Sequence, residues 1–229
     1  MSTPRAPERL AYLDAFRGFA IAAMVLVNNP GSWSHVHAPL AHAPWHGCTP
    51  TDLIFPFFLF ASGLSLTFSL DRAPGGGSDP ARRYGRLLRR AGTLALVGVL
   101  LNLLPTLDLA TLRIPGVLQR IALCLALAAP LVLWGGARGP WVGILVAFGL
   151  WLGITFGVPV RGPDGLVAAG RLEPGQDPGA WLDRWVFGRH LWAKAGTWDP
   201  EGLLGTLPAT ANVWMGVIAG RFLAGPGDP

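Results

Sequence analysis

Charged residues are scarce in this chain. They make up 14% of its 229 residues, whereas about 25% is usual for a soluble domain. Hydrophobic residues make up 51%, ten residues are tryptophan, and the mean hydropathy is +0.42. This composition excludes an ordinary soluble domain and indicates a membrane protein with several spans.

Cysteine and the common ligand-binding motifs are also sparse. Cys48 falls in a loop and Cys124 inside an apolar run, so the two are not expected to meet, and neither has metal-ligand spacing. A disulfide framework is therefore excluded, and no metal site is predicted. The glycine run at 75–77 follows no strand and precedes no Lys-Ser or Lys-Thr pair, which argues against a phosphate-binding loop.

Six apolar runs have roughly the length needed to cross a bilayer. They predict an all-α, polytopic helix bundle that forms one domain over residues 1–229, with the lipid bilayer as a partner. The runs are Leu10–Asn29, Leu53–Leu70, Leu87–Leu104, Val117–Trp134, Trp141–Pro159 and Leu203–Leu223. The segment 160–202 is predicted to be a long outer loop.

Arginines predict the orientation of this bundle. Five of them lie between residues 82 and 90, and positive residues are retained on the cytoplasmic side of a membrane. Arg5, Arg9 and Arg138 then fall on the same side. The net charge of +5 thus reflects topology and does not indicate nucleic-acid binding. We expect a multi-pass protein of the cell (inner) membrane with a cytoplasmic N-terminus, its first run being a retained anchor.

Polar side chains collect at the outward ends of the predicted spans. They are Asn28, Asn29, His35, His37, His42, His46, Asp52, Asn102, Asp108, Arg113, Gln119, Arg120, Asp199 and Glu201. Acids, bases and hydrogen-bond donors at the rim of apolar helices suit a site that deprotonates a nucleophile away from bulk water. The alternative, favoured for His35 and His37, is that these loops are polar because they are hydrated.

Five motifs spread over nearly the whole chain occur in a distinctive order. They are YLDAFRG at 12–18, MVLVNNPG at 24–31, AHAPWHGCTPTDLIFPFFLFASG at 41–63, RIPGVLQRIALC at 113–124 and WDPEGLLGTLPATAN at 198–212. Together they resemble the heparan-alpha-glucosaminide N-acetyltransferase family of transmembrane acyltransferases and its bacterial relatives.

This resemblance implies transfer of an acetyl group from cytoplasmic acetyl-CoA to an amino sugar or other amine acceptor across the membrane. Acetyl-CoA would be a cosubstrate, and no bound cofactor is implied. Family members have more spans than are visible here, so the chain is expected to be the N-terminal part of a larger acyltransferase fold.

The resemblance also assigns two catalytic candidates. The family's active-site histidine, in the pattern His-Ala-x-Trp-x-Gly, matches His42, and its asparagine at the end of the first span matches Asn28. A neutral imidazole can take a proton from the acceptor or can itself be acylated, and the sequence leaves both routes open. Asn28 can donate a hydrogen bond to the thioester oxygen, or it can simply cap the helix.

Three neighbouring residues are predicted to support His42. Asp52 is expected mainly to act as the N-cap of the second span, with a second interpretation in which it orients an imidazole. His46 is a second candidate base. Trp45, with Trp198, is a candidate wall of an acceptor pocket.

Two arginines are candidates for cosubstrate binding. Arg17 can bind CoA phosphates, although an ion pair with Asp14 at the membrane interface is the favoured interpretation. Arg120 lies about one turn inside the fourth span, where a buried guanidinium needs an anionic or carbonyl partner.

Two other classes of function compete with the acyltransferase. A catalytically inert membrane scaffold is the first alternative. A small-solute transporter is less favoured, because no fixed repeat is visible and ionisable residues near the bilayer midplane are few. The spacing of Gly216 and Gly220 predicts close helix packing, within the bundle in preference to a homo-oligomer seam.

Overall fold

A computed structural model describes residues 11–71, 79–163 and 165–224. This part of the chain contains seven α-helices and one short β-hairpin. The helices are α1 (Ala11–Asn28), α2 (Ile54–Asp71), α3 (Pro80–Leu103), α4 (Val117–Leu133), α5 (Gly139–Gly157), α6 (Pro178–Phe187) and α7 (Thr206–Ala224). Each of the six predicted spans therefore corresponds to a helix.

Helices α2 and α7 form the closest pair in the bundle, because glycines let their backbones approach. A Cβ atom added to Gly63 would lie 1.9 Å from the carbonyl oxygen of Val213, and one added to Gly216 would lie 2.1 Å from that of Phe60. Gly220 faces Thr67 in the same way. The small-residue spacing of α7 is thus used inside the chain, as predicted.

Helices α4 and α5 complete the core around α7. The buried cluster includes Cys124 and Ala128 on α4, Ala147 on α5 and Trp214 on α7. Trp214 donates a hydrogen bond from Nε1 to the carbonyl oxygen of Ala128 at 3.2 Å, so the indole is buried without an unsatisfied polar group.

Three described helical segments are long and apolar enough to cross a membrane: Ala11–Asn28, Pro50–Ser69 and Gly139–Gly157. Large hydrophobic side chains cover their outer surfaces, among them Phe19, Leu145 and Phe156, which are 66%, 74% and 54% exposed. Such surfaces are stable in lipid and costly in water. The membrane character predicted from composition is therefore confirmed. The predicted number of six spans is not confirmed, because three of the described helical segments meet the length and hydropathy needed to cross a membrane.

The segment predicted as an outer loop, 160–202, has structure of its own, which corrects the all-α prediction. Strand β1 (Val160–Gly162) pairs with β2 (Gly165–Val167) in an antiparallel hairpin, with Val160 opposite Val167. Helix α6 follows because Asp177 caps it, accepting hydrogen bonds from the amides of Gly179 and Ala180 at 2.7 and 3.1 Å. Both elements are too short to give a hydropathy signal. We call residues 158–163 and 165–205 the cap.

Candidate functional site

A histidine–carboxylate pair lies between α1 and α2. His42 Nδ1 is 2.6 Å from Asp52 Oδ1. The imidazole is 59% exposed, whereas the Asp52 side chain is only 26% exposed. The pair therefore combines a fixed partner on one side of the ring with an accessible nitrogen on the other.

The backbone around this pair explains its geometry. A single-turn 3₁₀ helix, Pro50–Leu53, begins after Thr49, and Asp52 Oδ2 accepts hydrogen bonds from the amides of Thr49 at 2.8 Å and Ala43 at 3.2 Å. The prediction that Asp52 is the N-cap is thus wrong by three residues, since Thr49 occupies that position. Asp52 lies at the third helical position and reaches back in the manner of a capping box.

Asp52 therefore uses its two oxygens differently: Oδ2 accepts from the loop backbone and Oδ1 contacts the imidazole. Because the carboxylate accepts from the loop backbone, it is held in place and can only accept from the imidazole. In a neutral imidazole this contact places the proton on His42 Nδ1 and leaves Nε2 as a free acceptor. Gly47, which adopts a φ of 116°, allows the turn that follows.

Trp45 joins the loop that carries His42 to the cap. Its Nε1 donates to the carbonyl oxygen of Leu172 at 2.5 Å, and its ring meets Trp198 edge to face at 4.8 Å between centroids. Trp198 also meets Trp192, at 5.5 Å. Three residues beyond His42, the chain thus reaches an aromatic cluster formed by Trp45, Trp192 and Trp198.

Ionic contacts hold the same part of the cap to the start of α4. Arg113 donates from Nε and Nη2 to the two carboxylate oxygens of Asp199, at 2.9 and 2.5 Å, and also pairs with Glu201. The Asp199 side chain is fully buried. Burial tends to lower the pKa of Arg113, but these two carboxylates outweigh it and raise the pKa above its usual value.

Arg120 lies below this pair on α4. Its Nη2 donates to the carbonyl oxygen of Gly202 at 2.9 Å, while its Nε is buried and has no hydrogen-bond partner among the described residues. Gly205 leaves the room for this guanidinium, since an added Cβ would lie 2.7 Å from Nη2. Burial also raises the pKa of Glu201, although Arg113 and Arg120 partly offset this effect.

Asp183, on α6, belongs to the same cluster and was missed from the sequence. It is 2% exposed and accepts a hydrogen bond from the amide of Leu203 at 2.8 Å. Burial raises its pKa to about 6. The one signal that could have found it is a carboxylate within a helix otherwise rich in tryptophan.

Comparison with known proteins identifies the family. The model of the family described as "Heparan-alpha-glucosaminide N-acetyltransferase, catalytic" matches residues 9–175. The chain belongs to the heparan-alpha-glucosaminide N-acetyltransferase family. The resemblance of the five motifs is therefore confirmed.

Two curated members of this family resemble the chain over nearly its whole length. Human heparan-alpha-glucosaminide N-acetyltransferase is 32% identical over 95% of the chain, and the mouse protein of the same name is 30% identical over 94%. The chain spans only 39% of the length of each. The matched family region includes the His42–Asp52 pair and Trp45 but ends before α6.

Of the predicted site residues, the structure brings His42 and Asp52 into contact, and Trp45 lies three residues beyond His42 in the same loop. Asn28 ends α1, and its Nδ2 donates to the carbonyl oxygen of Met24 at 2.9 Å within its own helix. That contact matches the helix-capping interpretation. His46, the second candidate base, is exposed.

The two predicted cosubstrate arginines do not meet. Arg17 is exposed and lies 11 residues before the end of α1, about 16 Å along the helix axis at 1.5 Å per residue. Within the described part of the chain it forms no ion pair with Asp14, contrary to the pairing expected from their spacing. Arg120 is in the first turn of α4, where it contacts Gly202 of the cap.

No group of three or more His, Cys, Asp or Glu side chains in residues 11–71, 79–163 and 165–224 could hold a metal ion. Cys48 is exposed, Cys124 is buried, and both are free thiols.

Proposed function

We propose that this protein is a membrane-bound acyltransferase that moves an acetyl group from cytoplasmic acetyl-CoA to an amino-sugar-like acceptor on the outer side of the membrane. The observation that carries the proposal is the His42–Asp52 pair, which lies at the mouth of the bundle in a chain of this family. The names of the two relatives support an acetyl group and a glucosaminide acceptor.

In this proposal His42 is the general base. Asp52 accepts from Nδ1, so Nε2 has a free lone pair that takes a proton from the acceptor nitrogen as that nitrogen attacks the thioester carbon. The nitrogen–carbon bond forms, the carbon–sulfur bond breaks, and CoA leaves as the thiolate. The imidazolium returns its proton to the sulfur or to water. The alternative, in which Nε2 itself takes the acetyl group first, uses the same geometry.

Asn28 is proposed to stabilise the oxygen of the tetrahedral intermediate. Its amide uses one N–H on the carbonyl of Met24, and the second N–H can donate to the oxyanion. A donor of this kind contributes about 3 kcal/mol in other acyl-transfer sites. His46, which is exposed, is not needed in this scheme.

The acceptor is proposed to bind against the aromatic cluster of Trp45, Trp192 and Trp198. Small-molecule sites are lined mainly by apolar and aromatic side chains with a few polar groups that fix orientation. Trp45 is three residues from His42, and its contacts with Trp198 and Leu172 fix it in place. An acceptor lying on this cluster would present its amine to the imidazole.

The cosubstrate is proposed to approach from the opposite side. Arg17 lies in the inner half of α1, where it can bind the anionic phosphates of CoA. The buried N–H at Arg120 Nε, which has no partner among the described residues, can donate to the thioester end of the same molecule. The two arginines would then mark the two ends of one elongated site.

This arrangement requires six spans, an N-terminus in the cytoplasm and a location in the cell membrane. The native thiols provide the test, because Cys48 is exposed beside the site and Cys124 is buried. In intact cells an impermeant thiol reagent should label the wild-type protein but not Cys48→Ser. A cysteine added at exposed Ala137 in the Cys48→Ser background should stay unlabelled. Labelling at 137 but not at 48 would reverse the topology and overturn the scheme.

The activity is tested with detergent-purified protein, radiolabelled acetyl-CoA and a panel of amino sugars, amines and simple alcohols. The proposal predicts transfer to amino sugars above the other acceptors. An identical rate for all acceptors would reject the acceptor class. No transfer to any acceptor, with protein that still unfolds cooperatively, would instead favour the inert scaffold.

A further inference from the structure

Helix α6 has its polar and apolar faces arranged in the reverse of a helix on a soluble protein. Its buried face carries Asp183, at 2% exposure, and Ala180, at 3%. Its outward face carries Trp181, Trp185 and Val186, which are 39%, 74% and 45% exposed. A protein surface in water rarely keeps two tryptophans and a valine exposed side by side on one helix.

The polar side chains of α6 hold it in this orientation. Asp183 binds the amide of Leu203, and Arg184 donates from Nη1 to the carbonyl oxygens of Gly175 and Thr197, both at 2.8 Å. Nη2 of Arg184 donates to the carbonyl of Arg161 at 3.0 Å. Rotating the helix to bury its tryptophans would break all of these contacts.

The exposed tryptophans form an ordered pair. The rings of Trp181 and Trp185 are stacked, with centroids 6.4 Å apart and planes 6° from parallel. Tryptophan is enriched where membranes meet water, because its ring is apolar and its N–H can contact the polar layer.

The position of α6 joins this face to the exposed surface of a candidate membrane span. α6 contacts both α5 and strand β1, and β1 begins at Val160, three residues after α5 ends at Gly157. α5 is one of the candidate membrane spans, and Phe156 near its end is 54% exposed. The apolar face of α6 thus continues the lipid-facing surface of α5 beyond the end of the span.

Two exposed arginines lie close to α6. Arg189 follows the end of α6, and Arg161 lies on β1; both side chains are exposed. Cationic residues beside an apolar helix face favour contact with lipid phosphates at the bilayer surface.

We propose that α6 is an interfacial anchor that lies in the plane of the membrane, with Trp181, Trp185 and Val186 in the headgroup region of the leaflet reached by the end of α5. Helices of this type bury their apolar face about 5–10 Å into the headgroup and acyl boundary. The anchor sets the height of the cap, because Asp183 and Arg184 connect α6 to the segment that carries Trp198. The inference rests on the membrane character of the chain and does not depend on acyl transfer.

The test places an environment-sensitive nitrobenzoxadiazole dye on single cysteines in the Cys48→Ser protein, reconstituted in phosphatidylcholine vesicles. One cysteine replaces Val186 on the proposed anchor. The control replaces exposed Glu173, next to Leu172, whose carbonyl oxygen accepts a hydrogen bond from Trp45 in the loop that carries His42. Protein without an added cysteine gives the blank for residual labelling of buried Cys124. Lipids brominated near the headgroup or near the methyl end report depth.

The proposal predicts a blue-shifted emission at position 186 and a loss of fluorescence that is greater with headgroup-proximal bromines than with deep ones. Position 173 should show an aqueous emission and no loss. An aqueous, unquenched dye at 186 would overturn the proposal, as would stronger quenching by the deep bromines, which would place α6 in the hydrocarbon core.

A second measurement uses no label. Tryptophan fluorescence of the wild-type protein minus that of Trp185→Phe isolates the contribution of Trp185. That difference should be quenched most by the headgroup-proximal bromines. A difference spectrum unaffected by any brominated lipid would contradict the anchor even if the dye had perturbed the helix.

Discussion

The loop that carries His42 and the ionic cluster under the cap lie on the same side of the bundle, yet their charges are satisfied in opposite ways. The His42 ring is 59% exposed and has one charged partner, Asp52. In the second cluster the Asp199 side chain is fully buried and shares Arg113 with Glu201. An exposed nitrogen beside a fixed carboxylate can exchange protons with a ligand, whereas a buried, mutually neutralised cluster mainly holds chain segments together.

The first test of this difference removes the cation from the buried cluster. Arg113→Ala leaves the carboxylates of Asp199 and Glu201 without their partner, and breaking a buried pair in this way costs about 3–5 kcal/mol. We expect a clear loss of thermal stability in detergent. Arg171→Ala, at an exposed position of the cap, is the matched control and should unfold like the wild type. Equal stability of the two variants would show that the cluster does not hold the cap.

The second is to alter the partner of the exposed histidine without changing its shape. In Asp52→Asn the amide oxygen is required by the backbone N–H groups of Thr49 and Ala43, so the NH₂ group faces His42 Nδ1. The imidazole must then carry its proton on Nε2 and cannot act as a base. We expect acetyl transfer to fall by about 100-fold, within the range contributed by a positioned base.

The measurement is the initial rate of transfer at saturating acetyl-CoA, with thermal unfolding as a check on folding. Because Asp52 also holds the loop, Thr49→Val serves as control: it removes the hydroxyl contacts to Asp52 and to the carbonyl oxygen of Ala41 but keeps the amide contact to Asp52. A rate for Asp52→Asn that matches Thr49→Val would mean that the carboxylate acts only in the loop.

The third concerns the pH dependence of the buried cluster. Burial raises the pKa of Asp183 to about 6 from 3.8, so between these values the folded state binds more protons than the unfolded state. Asp183 therefore stabilises the protein increasingly as the pH falls from about 6 toward 4, and this contribution is lost as the pH rises through 6.

Asp183→Asn removes this titration and can keep the hydrogen bond from Leu203, so it isolates the effect. The melting temperature of the wild type relative to Asp183→Asn should rise as the pH is lowered from 7 to 4. A difference in melting temperature that is constant over this range would contradict the raised pKa of Asp183. A difference that falls as the pH is lowered would mean that the pKa of Asp183 is lowered, as in an ion-paired carboxylate.

The smallest expected effect lies where the two regions meet. Trp45→Phe keeps an aromatic ring against Trp198 but loses the hydrogen bond to Leu172, which is worth about 1 kcal/mol. We expect a slight loss of stability. We also expect the KM for the acceptor to rise by a larger factor than kcat changes. Trp33→Phe, at a residue 67% exposed, should alter neither.

Much of the fold was predictable because a membrane span is a continuous run of apolar residues, which can be recognised from neighbouring residues alone. The last predicted span, Leu203–Leu223, compares with α7 at Thr206–Ala224, and the second, Leu53–Leu70, with α2 at Ile54–Asp71. The role of Gly216 also followed from spacing alone, since residues four apart share a helix face.

The remainder depended on contacts between distant segments. Trp45 meets Leu172 across 127 residues and Arg113 meets Asp199 across 86, and no local pattern encodes such pairs. Asp52 was assigned to helix capping because its position in sequence satisfied that role, while its contact with His42 depends on how the intervening loop folds back. Helix α6 was not predicted because its ten residues are too few to span a membrane. In the sequence its apolar and charged residues look like part of a polar loop.

The most direct test of the central claim compares His42→Ala with His46→Ala in acetyl transfer from labelled acetyl-CoA to an amino sugar. Both histidines are exposed in the same loop, but only His42 is held by a carboxylate. We expect His42→Ala to lower the rate by at least about 100-fold, the low end of what positioned acid–base catalysis contributes, and His46→Ala to change it little. Equal losses, or a folded His42→Ala protein with full activity, would contradict the assignment of His42 as the catalytic residue.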